Sequence, residues 1–184
     1  KQAHIKRDEL FVTTKIWMNN LAPEEVIKSS ERSLQDLDLP YVDLLLIHWP
    51  NPDFDVEKTI EAMLSVRDQG KALNIGVSNF PMKNLKEVNE ELAAPIFCNQ
   101  VEYHPLLDQF ELLEYASEQD LLVTAYSPLA QGEVFNIPLL QELSEKYGKT
   151  PSQIALRWLV EQEQVVAIPK ASSRAHMEEN LDIY

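Results

Sequence analysis

The pattern that most limits this chain is a repeated alternation of short apolar runs with longer amphipathic stretches. The runs lie at Leu10–Thr14, Val42–Ile47, Asn74–Val77, Ile96–Glu102, Leu121–Tyr126 and Val165–Pro169. They are close to continuously apolar, which predicts strands covered on both faces, as in a parallel sheet. Their starts recur roughly every 20 to 45 residues, the scale of a strand–helix–strand unit with a right-handed crossover.

The stretches between them have readable helix ends. One helix is expected from Pro23-Glu24-Glu25, with proline in the first turn and acids where the helix dipole favours them. Its apolar stripe is Val26, Leu34 and Leu37. A second carries Val56, Ile60, Met63 and Leu64 and stops at Gly70, a third carries Leu85, Val88 and Leu92, and a fourth carries Phe110, Leu113 and Ala116. Near the end, Leu139–Tyr147 stops at Gly148, and Thr150-Pro151-Ser152-Gln153 then spells a capping box for a further helix. Two helices therefore precede the last strand, where the earlier crossovers have one.

Units of this kind build either an open doubly wound sheet or a (β/α)8 barrel. The open sheet places a glycine-rich phosphate turn after its first strand. The four glycines, Gly70, Gly76, Gly132 and Gly148, cannot form G-x-G-x-x-G. The expectation is an α/β chain of the TIM-barrel type. A complete barrel has eight strands and about 250 residues, whereas these 184 residues carry six units, two strands short. No low-complexity linker interrupts residues 1–184, which read as a single domain.

The charge balance limits partners. Thirty acids against sixteen bases give a net charge of -14, a field that repels nucleic acid and anionic membrane. No apolar run approaches the roughly 20 residues that span a bilayer, and the start, Lys-Gln-Ala-His-Ile-Lys-Arg-Asp, has no apolar signal core behind it. A cytoplasmic location is expected. Cys98 is the only cysteine, which excludes an internal disulfide, and no His or Cys pair has metal-ligand spacing, so no metal site is expected.

In a barrel, polar residues at the C-terminal tips of strands face the active-site mouth. That rule selects Lys15, His48, Ser78-Asn79, Gln100, Tyr126-Ser127 and Lys170, at least one residue per strand. A lysine there favours the phenolate of a neighbouring phenol and so tunes a proton donor. An imidazole orients a carbonyl oxygen. The amides of Asn79 and Gln100 suit a carboxamide, and Tyr126 offers a ring face for stacking. Lys170, Ser172 and Ser173 precede a helix expected near Arg174, a grouping suited to phosphate.

The same segments resemble the aldo-keto reductase superfamily along essentially the whole chain. The resemblance rests on Leu10-Phe11-Val12-Thr13-Thr14-Lys15, Asp43-Leu44-Leu45-Leu46-Ile47-His48-Trp49-Pro50, Ile75-Gly76-Val77-Ser78-Asn79-Phe80, Asn99-Gln100-Val101-Glu102-Tyr103-His104-Pro105, Ala125-Tyr126-Ser127-Pro128-Leu129 and Ile168-Pro169-Lys170. The short loop His48-Trp49-Pro50-Asn51-Pro52 looks most like small bacterial 2,5-diketo-gluconate and methylglyoxal reductases.

The resemblance implies reduction of an aldehyde or ketone to an alcohol by hydride transfer from NADPH, in a cytoplasmic enzyme that is a monomer when complete. Lys15 and His48 match two members of the catalytic tetrad. Ser78, Asn79 and Gln100 match carboxamide-binding positions, and Tyr126 matches the residue that stacks on nicotinamide. Ser127, Leu129 and the Gln131-Gly132 turn match the loop over the pyrophosphate. Lys170 and Ser173 fall at the 2′-phosphate, with Ser172 beside them among the cofactor-binding residues, and Glu179 and Asn180 on the adenine side. Trp17 and Trp49 are expected to wall the substrate pocket. His176 stands where an arginine commonly holds adenine and the 2′-phosphate, which admits NAD as well as NADP; Arg174 is the nearby substitute.

The family's remaining tetrad members, an aspartate and a tyrosine, belong to a segment before the first strand seen in this chain. None of Tyr41, Tyr103, Tyr115, Tyr126, Tyr147 or Tyr184 lies in a matching motif. The expectation is that the chain covers the third to eighth units of the barrel, without its first two strands and its C-terminal loop. Alone it is expected to have negligible reductase activity. Two other readings compete: a non-catalytic nicotinamide-nucleotide sensor or scaffold, and a phosphosugar isomerase with Glu102 as its base.

Overall fold

A computed structural model describes residues 5–184; His4 lies outside the described residues. The chain divides into two units, Lys1–Asn99 and Gln100–Tyr184. In both, parallel strands alternate with helices, the α/β class expected of six such strands.

In the first unit the strand order is β1 (Thr13–Ile16), β2 (Val42–Ile47), β3 (Ala72–Ser78) and β4 (Ile96–Glu102), whose last three residues belong to the second unit. β1 and β2 run parallel from Thr13↔Leu44 to Ile16↔Ile47, and β2 and β3 from Val42↔Ala72 to Ile47↔Val77. All six residues of β2 are buried, the five apolar ones together with Asp43. The crossovers are α1 (Pro23–Leu37) and α2 (Val56–Asp68). Proline opens α1, Asp38 closes it in a left-handed conformation, and Val26 and Ser30 form its buried stripe. Asp55 caps α2 by accepting from Lys58 N–H. After β3, α3 (Met82–Lys86) passes into a π-helical turn at Glu87–Glu91.

The start of the described chain is tied down by charge. Asp43, on β2, accepts from Arg7 Nη2 at 2.6 Å and from Val12 N–H at 2.7 Å. Burial opposes the Asp43 charge, but the Val12 and Arg7 hydrogen bonds outweigh it and hold the carboxyl below its ordinary pKa.

The second unit takes up β4 at Gln100 and continues to β5 (Leu122–Tyr126) and β6 (Val165–Ala167), with β5 and β6 parallel from Val123↔Val165 to Ala125↔Ala167. Its helices are α4 (Phe110–Glu118), α5 (Pro138–Tyr147), α6 (Pro151–Val160) and α7 (Arg174–Leu181). Two of them precede β6, as expected. Gly148 ends α5 at φ 64°, and the capping box at Thr150 and Gln153 is formed in full. Ala130, Val134, Leu140 and Ala155 make a small core with Leu129, Ile137, Leu143 and Ile154 packed around it.

Several expected boundaries shift. β1 is Thr13–Ile16 rather than Leu10–Thr14, because pairing to β2 starts at Thr13 and leaves Leu10 and Phe11 43% and 59% exposed. β3 is longer at both ends than Asn74–Val77, and β6 stops at Ala167 rather than Pro169. α4 buries Leu112, Tyr115 and Ala116, whereas Phe110 is 75% exposed. Leu37, expected on the α1 stripe, is exposed in the last turn of that helix. Lys15 consequently lies within a strand rather than after it, as the third residue of β1, while Gln100 is the fifth residue of β4, inside the expected bounds.

Candidate active site

The first unit gathers one group of candidate residues around His48. β1 carries Lys15, paired with Leu46 of β2, and His48 follows β2, donating its backbone N–H to Ile16 C=O at 3.0 Å. Parallel pairing thus brings the lysine and the histidine side by side. Burial lowers the Lys15 pKa from its ordinary value, with Cys98 acting in the other direction. Burial also lowers the His48 pKa, and the Lys15 charge lowers it further. The product is a neutral imidazole beside an ammonium group. Trp17 meets the His48 ring edge-on, with centroids 5.1 Å apart. Trp17 and Trp49 are both about half exposed.

Ser78 ends β3, and Asn79 turns the chain with φ 60°, a left-handed conformation that asparagine tolerates. Asn79 Nδ2 donates to His48 C=O at 3.0 Å and to Ser78 Oγ at 3.1 Å. On the far side, fully buried Asn99 donates to Phe80 C=O at 2.9 Å and accepts from Phe80 N–H at 3.4 Å. The strained turn is therefore held before and after Asn79. Asn99 lies in a motif of the sequence, yet nothing local shows that its side chain fixes a backbone 19 residues away. A separate hollow of about 680 Å3 in this unit is lined by Leu21, Ile47, Phe54, Thr59 and Phe80, and includes none of Lys15, His48, Ser78 and Asn79.

The second unit carries the remaining candidates. Gln100 is buried in β4. Tyr126 ends β5, its pKa raised by burial and by the Glu102 charge, while a hydrogen bond from the Glu102 backbone opposes the rise. The loop that follows is concentrated in left-handed backbone: Ser127, Ala130 and Gln131 have φ 48°, 46° and 53°, and Gly132 has 101°. Non-glycine residues held there cost on the order of 1–3 kcal/mol each, and such residues cluster where a loop meets a ligand. Leu129 anchors this loop against the small core.

Lys170 and Ser172 are exposed after β6. Ser173 caps α7, its Oγ accepting from His176 N–H at 3.2 Å. Arg174, the expected substitute at the 2′-phosphate, instead donates to Glu178 Oε1 at 2.7 Å. Glu179 Oε1 accepts from Thr150 Oγ1 at 2.6 Å. Asn180 is the polar member of an otherwise apolar hollow of about 390 Å3 that includes Leu156, Val160, Pro169 and Met177. Thr150 was legible as a helix cap, but not as the partner of a residue 29 positions on.

The family model for the aldo/keto reductase family matches residues 1–184. Glyoxal reductase of Bacillus subtilis (strain 168) is 39% identical over 184 residues, covering all of this chain and 66% of that protein. Methylglyoxal reductase DkgA of Yersinia pestis is 38% identical over 188 residues, again covering all of this chain and 66% of that protein. A crystal structure of a putative 2,5-diketo-D-gluconic acid reductase B superposes with TM-score 0.94 at 42% identity, over 97% of this chain and 64% of the other. An aldo/keto reductase from Klebsiella pneumoniae, crystallised with NADP and acetate, superposes with TM-score 0.91 at 29% identity, over 96% of this chain and 65% of the other. The chain thus spans just under two thirds of the length of these proteins, and the structures it superposes on have the barrel expected from the sequence. This chain belongs to the aldo/keto reductase family.

Proposed function

We propose that the full-length protein reduces small aldehydes and ketones to alcohols using NADPH, as a cytoplasmic monomer. The relatives named for glyoxal and methylglyoxal make short dicarbonyls the first substrates to try. When bound, the dinucleotide supplies a hydride to the carbonyl carbon; the protein must then position the carbonyl and deliver a proton to its oxygen.

The observation that carries this reading is the coupling of Lys15 to His48. A neutral imidazole, kept so by burial and by the adjacent ammonium, donates one hydrogen bond to a carbonyl oxygen without trapping the oxygen as an ion pair. The Lys15 cation favours the anionic form of a phenol placed next to it, which makes that phenol a better proton donor near neutral pH. In the family that phenol comes from the segment preceding β1. Trp17, edge-on to His48, offers an apolar face to a carbonyl bound there.

The donor set suits the cofactor. Ser78 and Asn79 present a hydroxyl and a carboxamide, Asn79 bonded to His48 C=O and to Ser78 Oγ, a pair that complements a nicotinamide carboxamide; Gln100, in the second unit, is a buried carboxamide of the same chemistry. Tyr126 offers the stacking face, and the left-handed loop Ser127 to Gly132, with Leu129 and Gln131, suits the pyrophosphate. Lys170, Ser172 and Ser173 are assigned to the 2′-phosphate, with Glu179 and Asn180 on the adenine. Arg174 is engaged with Glu178, so the 2′-phosphate depends on Lys170 and selectivity against NADH is modest.

The test is NADPH oxidation by the full-length protein with methylglyoxal. The wild type is expected to turn over. His48→Ala is expected to lose roughly 100-fold or more in kcat, the lower range for a positioned acid–base group, with NADPH affinity kept. Turnover unchanged in His48→Ala would overturn the reading.

A further inference from the structure

We infer that Thr150 is a positioning residue for the adenine end of the cofactor, acting through Glu179. This rests on the adenine-side role proposed for Glu179. The turn between α5 and α6 does more than start a helix. Thr150 Oγ1 accepts from Gln153 N–H at 3.3 Å, as a cap does, and the same hydroxyl donates its proton to Glu179 Oε1 at 2.6 Å. A hydroxyl has one proton and two lone pairs, so both bonds form at once.

The neighbours of Thr150 grip the same end of α7. Gln153 Nε2 donates to Glu179 C=O at 3.2 Å, to Asp182 C=O at 2.9 Å and to Asp182 Oδ2 at 3.3 Å. Lys149 Nζ donates to Asp182 C=O at 2.9 Å and to Oδ1 at 2.8 Å. Backbone and side chain of the last turn of α7 are thus fixed from three residues of one short segment.

The chemical consequence lies in Glu179. A glutamate on an exposed helix loses several rotors when it binds, and that ordering weakens binding. Thr150 has already restrained one carboxylate oxygen. A carboxylate has about four acceptor positions on two oxygens, which leaves capacity for the exocyclic amine of an adenine. Thr150 therefore pre-orients the acceptor before the nucleotide arrives. It does not touch the nucleotide itself.

The experiment separates this role from helix capping. Aspartate is among the best N-caps, so Thr150→Asp keeps the cap acceptor while removing the donor and repelling Glu179. Thr150→Ser keeps both functions. Equilibrium binding of NADPH and of reduced nicotinamide mononucleotide, which has no adenine, is measured on the full-length protein by fluorescence. Thr150→Ser is expected within about twofold of the parent. Thr150→Asp is expected to weaken NADPH about tenfold, the scale of one hydrogen bond to a charged group, with the mononucleotide unchanged. Glu179→Ala should lose a similar factor, and Thr150→Asp should add nothing on that background. If Glu179→Ala weakens NADPH while Thr150→Asp does not, the inference is wrong and the role of Glu179 stands. If Glu179→Ala has no effect, the adenine-side reading fails and the inference with it. Equal loss of mononucleotide binding in Thr150→Asp would show a general disruption and also overturn it.

Discussion

Replacing Gly76 by alanine tests how the first unit places Ser78 and Asn79. Gly76 lies in the middle of β3, opposite Leu46 of β2. A Cβ at this position would stand 2.8 Å from Leu46 Cδ2, 2.9 Å from Cys98 O and 3.3 Å from Cys98 N. Carbon contacts are ordinarily about 3.5–4.0 Å, so something must move. Leu46 is fully buried and has little room to turn, and the Cys98 atoms are backbone. Overpacking of this kind costs about 1–3 kcal/mol, and the rigid neighbours put this site in the upper half of that range. For a chain of this size, about 2–3 kcal/mol corresponds to a melting temperature lower by roughly 4–12 °C. Calorimetric melting of Gly76→Ala checks the figure. Trimming Leu46 to valine in the same chain should not restore stability, because the Cys98 oxygen remains in the way. Since Ser78 is two residues on, NADPH affinity should fall together with stability. A Gly76→Ala protein that melts within about 1 °C of the parent would refute the reasoning, since no buried overpacking is that mild.

Two further predictions follow from electrostatics. Asp43→Asn removes the charge from a pair whose side chains are only 17% and 13% exposed, and urea denaturation should show a loss of about 3 kcal/mol, the low end for breaking a buried pair; a loss under about 0.5 kcal/mol would contradict the structure. For His48, burial and the Lys15 charge hold the folded pKa below the unfolded value of about 6.5. The unfolded state then binds the proton more readily, so this residue removes stability as pH falls through and below about 6.5, and contributes none of that loss above it. An NMR titration of the His48 ring should show the lowered midpoint, and Lys15→Met should move it upward without fully restoring it; an unchanged midpoint in that variant would exclude the coupling.

What could be read from the sequence depended on how local the determining physics is. β2 and β4 have the expected ends because each is a short, mostly apolar run with few polar interruptions. The capping box at Thr150 was legible because its partners are three residues apart. β1 was misplaced because Leu10 and Phe11 are apolar but lie ahead of the strand pairing, with Phe11 stacked on Phe97 at 5.9 Å. The face of α4 was misjudged because Phe110, at the first helical position, points to solvent while Leu112 and Tyr115 turn inward. The π-helical turn at Glu87–Glu91 left no trace in a run of acids with ordinary helical propensity.

The site divides along the same line. Lys15, His48, Ser78 and Asn79 were picked out by strand ends and motif, and pairing of β1 with β2 explains why Lys15 lies beside the strand that His48 follows. What was not legible is the support beneath them. Asn99 clamping Phe80, and Thr150 reaching Glu179, are contacts 19 and 29 residues apart that only the fold creates.

The central claim is that Lys15 and His48 belong to a site that moves a hydride from a nicotinamide to a carbonyl carbon. The direct measurement is a single-turnover reaction of the full-length protein with NADPH deuterated at nicotinamide C4 and excess methylglyoxal, with the product analysed by mass spectrometry. Deuterium on the new carbinol carbon is predicted, with the rate reduced on the order of 100-fold or more in Lys15→Met while NADPH still binds. NADPH that binds tightly but transfers no deuterium, or transfer at the parental rate in Lys15→Met, would contradict it.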